Sequence, residues 1–322
     1  METITALASK VPNEAAAYRY LERLRWKGRP VCPHCGVIDG HYLLKPKVGK
    51  RTTSTGRVTH RRLWKCHACR KQFSVLVGTI FHGTKISIRT WLFVLLEMCA
   101  SKNGIAAREV QRKYGLTPKS AWFMTQRIRE AMVLRNPSSL IGTIVADEAY
   151  IGGRSRHKYG TIRGEKPEKI IPPKAIVLTL VHRESGTARS RVIPNVTSDT
   201  LGSALLRAVD VDRSRLFTDD HKGYDMVGRW FALGHETVNH GWGEYVRGEV
   251  STNAAENFFS QLKRSIDGTF HAVSHVHLHR YLAEFDFRYN TRHLVDSQRV
   301  SALLGRIDKR RLTYAALTGQ AA

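Results

Sequence analysis

The period of the apolar positions changes along the chain, and each change predicts a different kind of element. Between residues 13 and 27, Tyr18, Leu21, Leu24 and Arg25 fall at helical spacing, which predicts a short amphipathic helix. From 86 to 135 a second helical block follows. Ile88–Ala100 is apolar enough for a core helix, and Gly104–Tyr114 and Pro118–Met132 make two more around a turn at 115–117. Thr117 is a good N-cap and Pro118 a good first helical residue. In the last helix Ala121, Met124, Ile128 and Ala131 line one face, while Lys119, Gln126, Arg127 and Arg129 occupy the rest. After a linker at 136–139 the pattern turns to strands: 141–150, 175–181, 188–196, 215–218 and 235–239. A helix at 198–209, with Ser198 as N-cap, interrupts them, and 252–293 reads as helices. Such an order points to an α/β or α+β layered fold without internal repeats.

Composition narrows the class. Of 322 residues, 52 are Lys or Arg against 27 Asp or Glu, a formal charge of +25 that points to a nucleic-acid partner. A ribosomal or histone-like coating protein shares that property, so charge alone does not decide. No apolar run approaches the roughly 20 residues of a spanning helix, and the start of the chain carries Glu2 and Glu14 without a long apolar stretch, unlike a signal or transit peptide. The expectation is a soluble cytoplasmic protein associated with the nucleoid, with no membrane partner.

Four of five cysteines form two CxxC pairs, Cys32/Cys35 and Cys66/Cys69. Each pair offers two thiolates from one tight turn, and together they complete a tetrahedral site for one structural Zn2+. The stretch 41–64 between them predicts strands around the loop 47–57, making a zinc ribbon with a basic hairpin tip. Four thiolates suffice, so His34 and His67 are left out, and Cys99, inside the apolar helix, reads as a core thiol. With this basic context the helices around 115–117 read as a helix-turn-helix rather than a plain helical hairpin, with 118–132 as the recognition helix. The DNA-contacting candidates are Lys119, Gln126 and Arg127, with Arg154, Arg156, Lys158 and Arg163 of the basic loop 152–170.

The informative carboxylates sit at element ends. Asp147 interrupts an apolar strand and Asp219 ends another, although Asp220 beside it offers the same chemistry. A carboxylate in such a place is costly unless something pairs it, and a divalent cation does so. Glu256 lies on the helix after Asn253, with Asn253 three residues before it and Lys263 seven after, all on one face. Three converging carboxylates would hold two Mg2+ or Mn2+ ions for phosphoryl displacement, with Lys263 on a DNA phosphate. Glu148 is expected to point away from Asp147 as a solvated charge. His275 and His279 share a helix face, where packing or a phosphate contact is a better use of them than metal binding.

Taken in order, several stretches resemble one group of bacterial and archaeal insertion-sequence transposases. These are Leu24–Trp26 with Cys32–Gly36; Cys66–Cys69 with Phe73 and Gly78–Phe81; Asp147–Gly153; Thr218 and Asp219 with Tyr224; Ser251–Glu256 through Lys263 and Arg264; and Tyr281–Asn290. The resemblance spans nearly the whole chain. It implies a multidomain α+β protein: an N-terminal helix and zinc ribbon over 1–85, a helix-turn-helix domain over 86–136, an RNase H-like α/β catalytic domain of the DDE type with C-terminal helices over 137–300, and a tail over 301–322. It implies a metal-dependent transposase acting on the terminal inverted repeats and target DNA, as a homodimer or higher oligomer on DNA. Asp147, Asp219 and Glu256 would be the triad, with Lys263 and Arg264 on DNA. Asn can stand for Glu at the third position in this group, so Asn253 remains a candidate beside Glu256.

Overall fold

The computed structural model describes residues 3–319 apart from 47, 48, 50, 53–55, 57, 153–155, 158–168, 171–173, 240–243 and 245. The chain runs through α1 (Ile4–Lys10), α2 (Glu14–Trp26), β1 (His41–Leu43), β2 (Trp64–Cys66), β3 (Gln72–Phe73), α3 (Ile88–Ala100), α4 (Ala107–Tyr114) and α5 (Pro118–Met132). There follow β4 (Leu140–Ile151), β5 (Arg156–His157), β6 (Lys169–Ile170), β7 (Ala175–His182), β8 (Thr187–Ile193), α6 (Ser198–Leu206), β9 (Val209–Asp219), α7 (Tyr224–Gly228) and β10 (His235–Val238). The chain ends with β11 (Val246–Arg247), β12 (Val250–Ser251), α8 (Asn253–Ser265), a π-helical turn (Ile266–Phe270), α9 (His275–Asn290), α10 (Asp296–Leu304) and α11 (Tyr314–Thr318). It divides into two compact units, Met1–Met132 with Arg292–Ala322, and Val133–Thr291.

In the first unit β1, β2 and β3 form a small antiparallel sheet. It is anchored to α2 by aromatic packing of Trp26 edge-on to Trp64 and Phe73. Glu22 of α2 is buried, and its carboxylate accepts from Arg62 Nε at 2.7 Å and Trp64 Nε1 at 2.9 Å, so its charge is paired where water is excluded. Helix α3 is apolar nearly all round, and its first free N–H groups, those of Ile88 and Arg89, donate to the Glu14 carboxylate. Helices α4 and α5 meet across a turn that needs a left-handed residue at Gly115, φ 61°, followed by the Thr117 side chain accepting from Ser120 N–H. The segment after Thr291 joins this unit: Arg299 donates to the Cys99 carbonyl, Arg310 to the Glu130 carbonyl, and Asp308 pairs with Arg25. The boundary at 300 and the tail from 301 expected from sequence therefore differ from the compact units, because buried Leu303, Leu304, Ile307 and Leu317 carry this segment into the helical core.

The second unit is built on a five-stranded mixed sheet in the order β10-β9-β4-β7-β8. Strand β4 runs antiparallel to β7 and parallel to β9, and β10 is parallel to β9. Alternation along β4 divides the core into two layers. Val145, Ala149 and Ile151 pack with Phe217 against Ala255, Phe258, Phe259 and Leu262 of α8 and Leu282 and Phe285 of α9. Ile144 and Ala146 pack with Leu216 against Leu201 and Leu205 of α6 and Tyr224 and Val227 of α7. Glycine is required at 228, where a Cβ would come within 2.0 Å of the His235 ring.

The free edge of β8 is closed by α9. Asp286 and Asn290 lie one helical turn apart and reach alternate residues of the strand. Ser190 N–H and Oγ each donate to Asp286 at 2.8 Å. Asn290 accepts from Ala188 N–H at 2.7 Å and donates to the Ala188 carbonyl at 2.8 Å, completing the pairing a sixth strand would have made. Burial pushes the Asp286 carboxyl up to about 7, against the pull of both Ser190 donors and of Arg189. A carboxyl raised on folding contributes stability that is complete below its unfolded value, about 3.9, and is lost as pH rises through its folded value. Asp286→Asn should therefore remove a decline on the order of a few kcal/mol across this interval. Denaturant midpoints measured from about pH 5 to 8 check this; a decline as steep in the variant as in the wild type would contradict it.

Candidate metal centres and nucleic-acid interface

Two tight turns bring four sulfurs together. The Gly36 N–H donates to the Cys32 carbonyl at 2.9 Å and the Arg70 N–H to the Cys66 carbonyl at 3.1 Å, and both turns end on a left-handed residue, Gly36 and Arg70. The Sγ atoms of Cys32 and Cys69 lie 3.7 Å apart, those of Cys35 and Cys66 3.6 Å, and all four lie within 4.8 Å of one another. A tetrahedral zinc with bonds of about 2.3 Å separates its sulfurs by about 3.8 Å, so the four positions fit Zn2+. The Cys66 thiol is pushed down to about 6, chiefly by the backbone N–H of Cys69, which favours the ligating thiolate. His34 stays outside the cluster, its Nε2 3.2 Å from the Gln72 carbonyl oxygen, and Cys99 is a buried core residue. Among the described residues no other group of three His, Cys, Asp or Glu side chains gathers this closely, His275 and His279 included.

The acidic residues are placed by the sheet. The parallel pairing of β4 with β9 matches Val145 with Phe217, and Asp147 and Asp219 each follow two residues later. Both therefore stand at the same height, and alternation gives them the face of Val145 and Phe217, the layer covered by α8. Glu256 is in the first turn of that helix, half-buried, with Thr252 Oγ1 3.3 Å from its Oε1. Asn253 opens the helix and is exposed, as are Lys263 and Arg264 in its last turn. Asp219 accepts from the His221 N–H at 3.2 Å and Asp147 from the Glu148 N–H at 2.7 Å. Asp220 is exposed and accepts from Asn239 Nδ2 at 2.7 Å.

Glu148 turns to the other layer, as alternation requires, yet it is not a solvated charge. Its Oε1 accepts from the hydroxyl of Tyr224 at 2.7 Å, and Tyr224 is 1% exposed. Burial pushes the Glu148 carboxyl up to about 7; the Tyr224 hydrogen bond opposes that, and the charges of Asp219 and Asp147 add to it. Tyr224 is itself raised well above its ordinary value, by burial first and then by Glu148. Reading by alternation identified the face of Glu148 but had no means of finding this partner, which is 76 residues away in sequence.

The expected DNA-reading residues of α5 are differently placed. Gln126 is fully buried and Arg127 is 4% exposed. Arg127 Nη2 donates to the His82 carbonyl at 2.6 Å, its guanidinium lies over the rings of Trp91 and Phe123, and burial, followed by the charge of Arg311, pushes it down to about 10. The assignment of this pair to base edges is corrected: with Arg129 also buried, they belong to the interior of the helical unit. Lys119 in the first turn of α5 is exposed, its Nζ 4.1 Å from the Tyr314 ring centroid, and Arg108, Arg112 and Lys113 are exposed on α4. Arg154, Lys158 and Arg163 lie outside the described residues; Arg156 is on β5, but its side chain is outside them too. No helix among the described residues is long and apolar enough to cross a membrane.

Two family models match stretches of the sequence. Residues 12–72 match a transposase zinc-ribbon domain and residues 139–290 an ISXO2-like transposase domain of the DDE class, whose name implies a divalent metal. Over 291 residues the chain is 27% identical to a protein of Halobacterium salinarum described as an uncharacterized protein in transposable element ISH50, with 86% of this chain and 90% of that protein covered.

The cysteine geometry generates a direct test. Cys66→Ser should lose the bound zinc and the fold of 30–73 with it, because metal affinity in a small site is folding free energy. Elemental analysis together with limited proteolysis measures both, and a ribbon that remains protease-resistant without zinc would contradict the assignment.

Proposed function

The chain belongs to the zinc-ribbon-bearing insertion-sequence transposases of the DDE type, and we propose from this premise that it cleaves DNA at terminal inverted repeats and joins the freed 3′-hydroxyl ends to target DNA. The observation that carries the chemistry is the matched height of Asp147 and Asp219 on neighbouring strands, on the layer covered by the helix bearing Glu256. Oxygen donors in a half-buried setting suit Mg2+ or Mn2+. Two such ions, held by Asp147, Asp219 and Glu256, would supply activation of a water or 3′-hydroxyl and stabilisation of the leaving oxygen.

The remaining work falls to this chain's own residues. Asp147 and Asp219 present carboxylates from rigid strand ends, and Glu256 presents a third from α8. Asn253 supports the set from the start of that helix. Lys263, two turns on, and Arg264 are exposed and hold DNA phosphates beside the site. The second unit serves as an RNase H-like catalytic domain, a reading that its mixed sheet with helices on both faces supports. One Zn2+ holds the ribbon, and the ribbon with the α4–α5 pair, a helix-turn-helix, binds the repeats. Lys119 contacts DNA from the exposed end of α5, and Arg154, Arg156, Lys158 and Arg163 add phosphate contacts. Two ends are brought together by a dimer or higher oligomer on DNA, in the nucleoid.

Binding and chemistry should separate. Asp147→Ala, Asp219→Ala or Glu256→Ala should each abolish Mg2+-dependent cleavage and joining while terminal-repeat binding persists; full activity in Asp147→Ala would reject the catalytic assignment. Asn253→Ala should lower activity only in part, and the reverse order, activity kept in Glu256→Ala and lost in Asn253→Ala, would move the third ligand. Lys263→Ala should impair strand transfer more than cation binding. Neutralising Arg154, Arg156, Lys158 and Arg163 together should weaken binding to every sequence. It should also flatten the salt dependence, by about 0.9 in log–log slope for each phosphate no longer neutralised. An unchanged slope in a salt titration would remove the loop from the interface.

A further inference from the structure

Only one of the two helices that meet at Gly115 offers its flank to a partner. After Lys119 no residue of α5 is exposed, and Met124–Arg129 are all buried. The returning C-terminal segment lies along this helix: Tyr314 of α11 packs edge-on to Trp122 and Phe123, and Arg310 donates to the Glu130 carbonyl at 2.9 Å. A helix reads a major groove with side chains on an exposed flank, and α5 keeps none beyond its first turn.

Helix α4 is the opposite case. Of its eight residues only Val110 is buried. Arg108, Gln111 and Arg112 are spaced three and four apart, so they share one face, and both arginines are exposed. Arg108 Nη1 donates to Gln111 Oε1 at 3.1 Å, which holds these two side chains together on that face. In the next row the ammonium of Lys113 is already occupied, by Glu109 at 2.8 Å and Glu97 at 3.5 Å. Arg108 and Arg112 make no ion pair among the described residues, so their charges remain free for a partner. The side-chain types are those that tell bases apart: a guanidinium fork fits O6 and N7 of guanine, and a glutamine amide fits N6 and N7 of adenine.

We propose that α4 is the helix that reads base edges, with Arg108, Gln111 and Arg112 in the major groove of the terminal-repeat duplex and Lys119 on a phosphate beside it. The proposal rests on the reading of the α4–α5 pair as a DNA-binding element. Within that pair it makes α4 the reader and α5 its support.

The test uses the full zinc-loaded chain without added Mg2+, so that the DNA stays intact. Fluorescence anisotropy gives the affinity for two labelled duplexes, one carrying the terminal inverted repeat and one a scramble of the same composition. Arg112→Ala keeps a strong helix former in α4 and removes no buried group. It should weaken binding to the repeat about 10-fold more than binding to the scramble, and Arg108→Ala should do the same. Gln111→Ala should lower the preference in the same direction. Lys119→Ala should weaken both duplexes alike, because a phosphate contact carries no sequence information. Arginine variants that weaken both duplexes equally, or neither, overturn the proposal. If Lys119→Ala also leaves both affinities unchanged, the reading of the helix pair as a DNA-binding element falls with it.

Discussion

The parallel pairing of β4 with β9 is the constraint on which the second unit depends. Parallel neighbours cannot be joined by a tight turn, so a long crossover must connect them, and here it runs through β5, β6, β7, β8 and α6. The same pairing sets Asp147 and Asp219 at one height, because both follow the matched residues Val145 and Phe217 by two. A register slip of one residue would send one of the two carboxylates to the layer of α6 and α7. Apolar alternation on both strands forbids that slip: Ile144, Ala146 and Leu216 belong to one layer, and Val145, Ala149 and Phe217 to the other.

A sheet fixed in this way still has edges. On the β8 side the closure is made by side chains rather than by another strand, with Asp286 and Asn290 of α9 taking the backbone groups of Ser190 and Ala188. The same helix supplies Leu282 and Phe285 to the core under β4. One element thereby protects the edge and packs in the same layer as α8, the helix that carries Glu256.

Much of this organisation was legible in the residue pattern. The helices Ile88–Ala100 and Pro118–Met132 have the limits that periodicity, Thr117 and Pro118 indicate, and β4 and β7 lie where their apolar runs are. The four-cysteine cluster follows from spacing because each pair is local and its turn chemistry is short-range. Other features are non-local. Gln126 and Arg127 look like a polar face of α5, but Arg127 is long enough to bury its guanidinium over Trp91 and Phe123 and still reach the His82 carbonyl. Periodicity records polarity and not whether a partner 45 residues away will satisfy it. The return of 292–318 to the helical unit was hidden for the same reason: Leu303, Leu304 and Ile307 are too few and too close in sequence to announce what they pack against.

Two carboxylates of the second unit are buried in different company. Asp286 and Glu148 are both raised to about 7 by burial. Around Asp286 the protein supplies donors for both oxygens, so the group is committed to structure and nothing further is asked of it. Around Glu148 it supplies the Tyr224 hydroxyl, while the charges of Asp219 and Asp147 add to the effect of burial. The rigid pairing of β4 with β9 meanwhile keeps Asp147 and Asp219 at one height on the layer covered by α8, so the edge group and the acidic pair are fixed by independent parts of the same sheet.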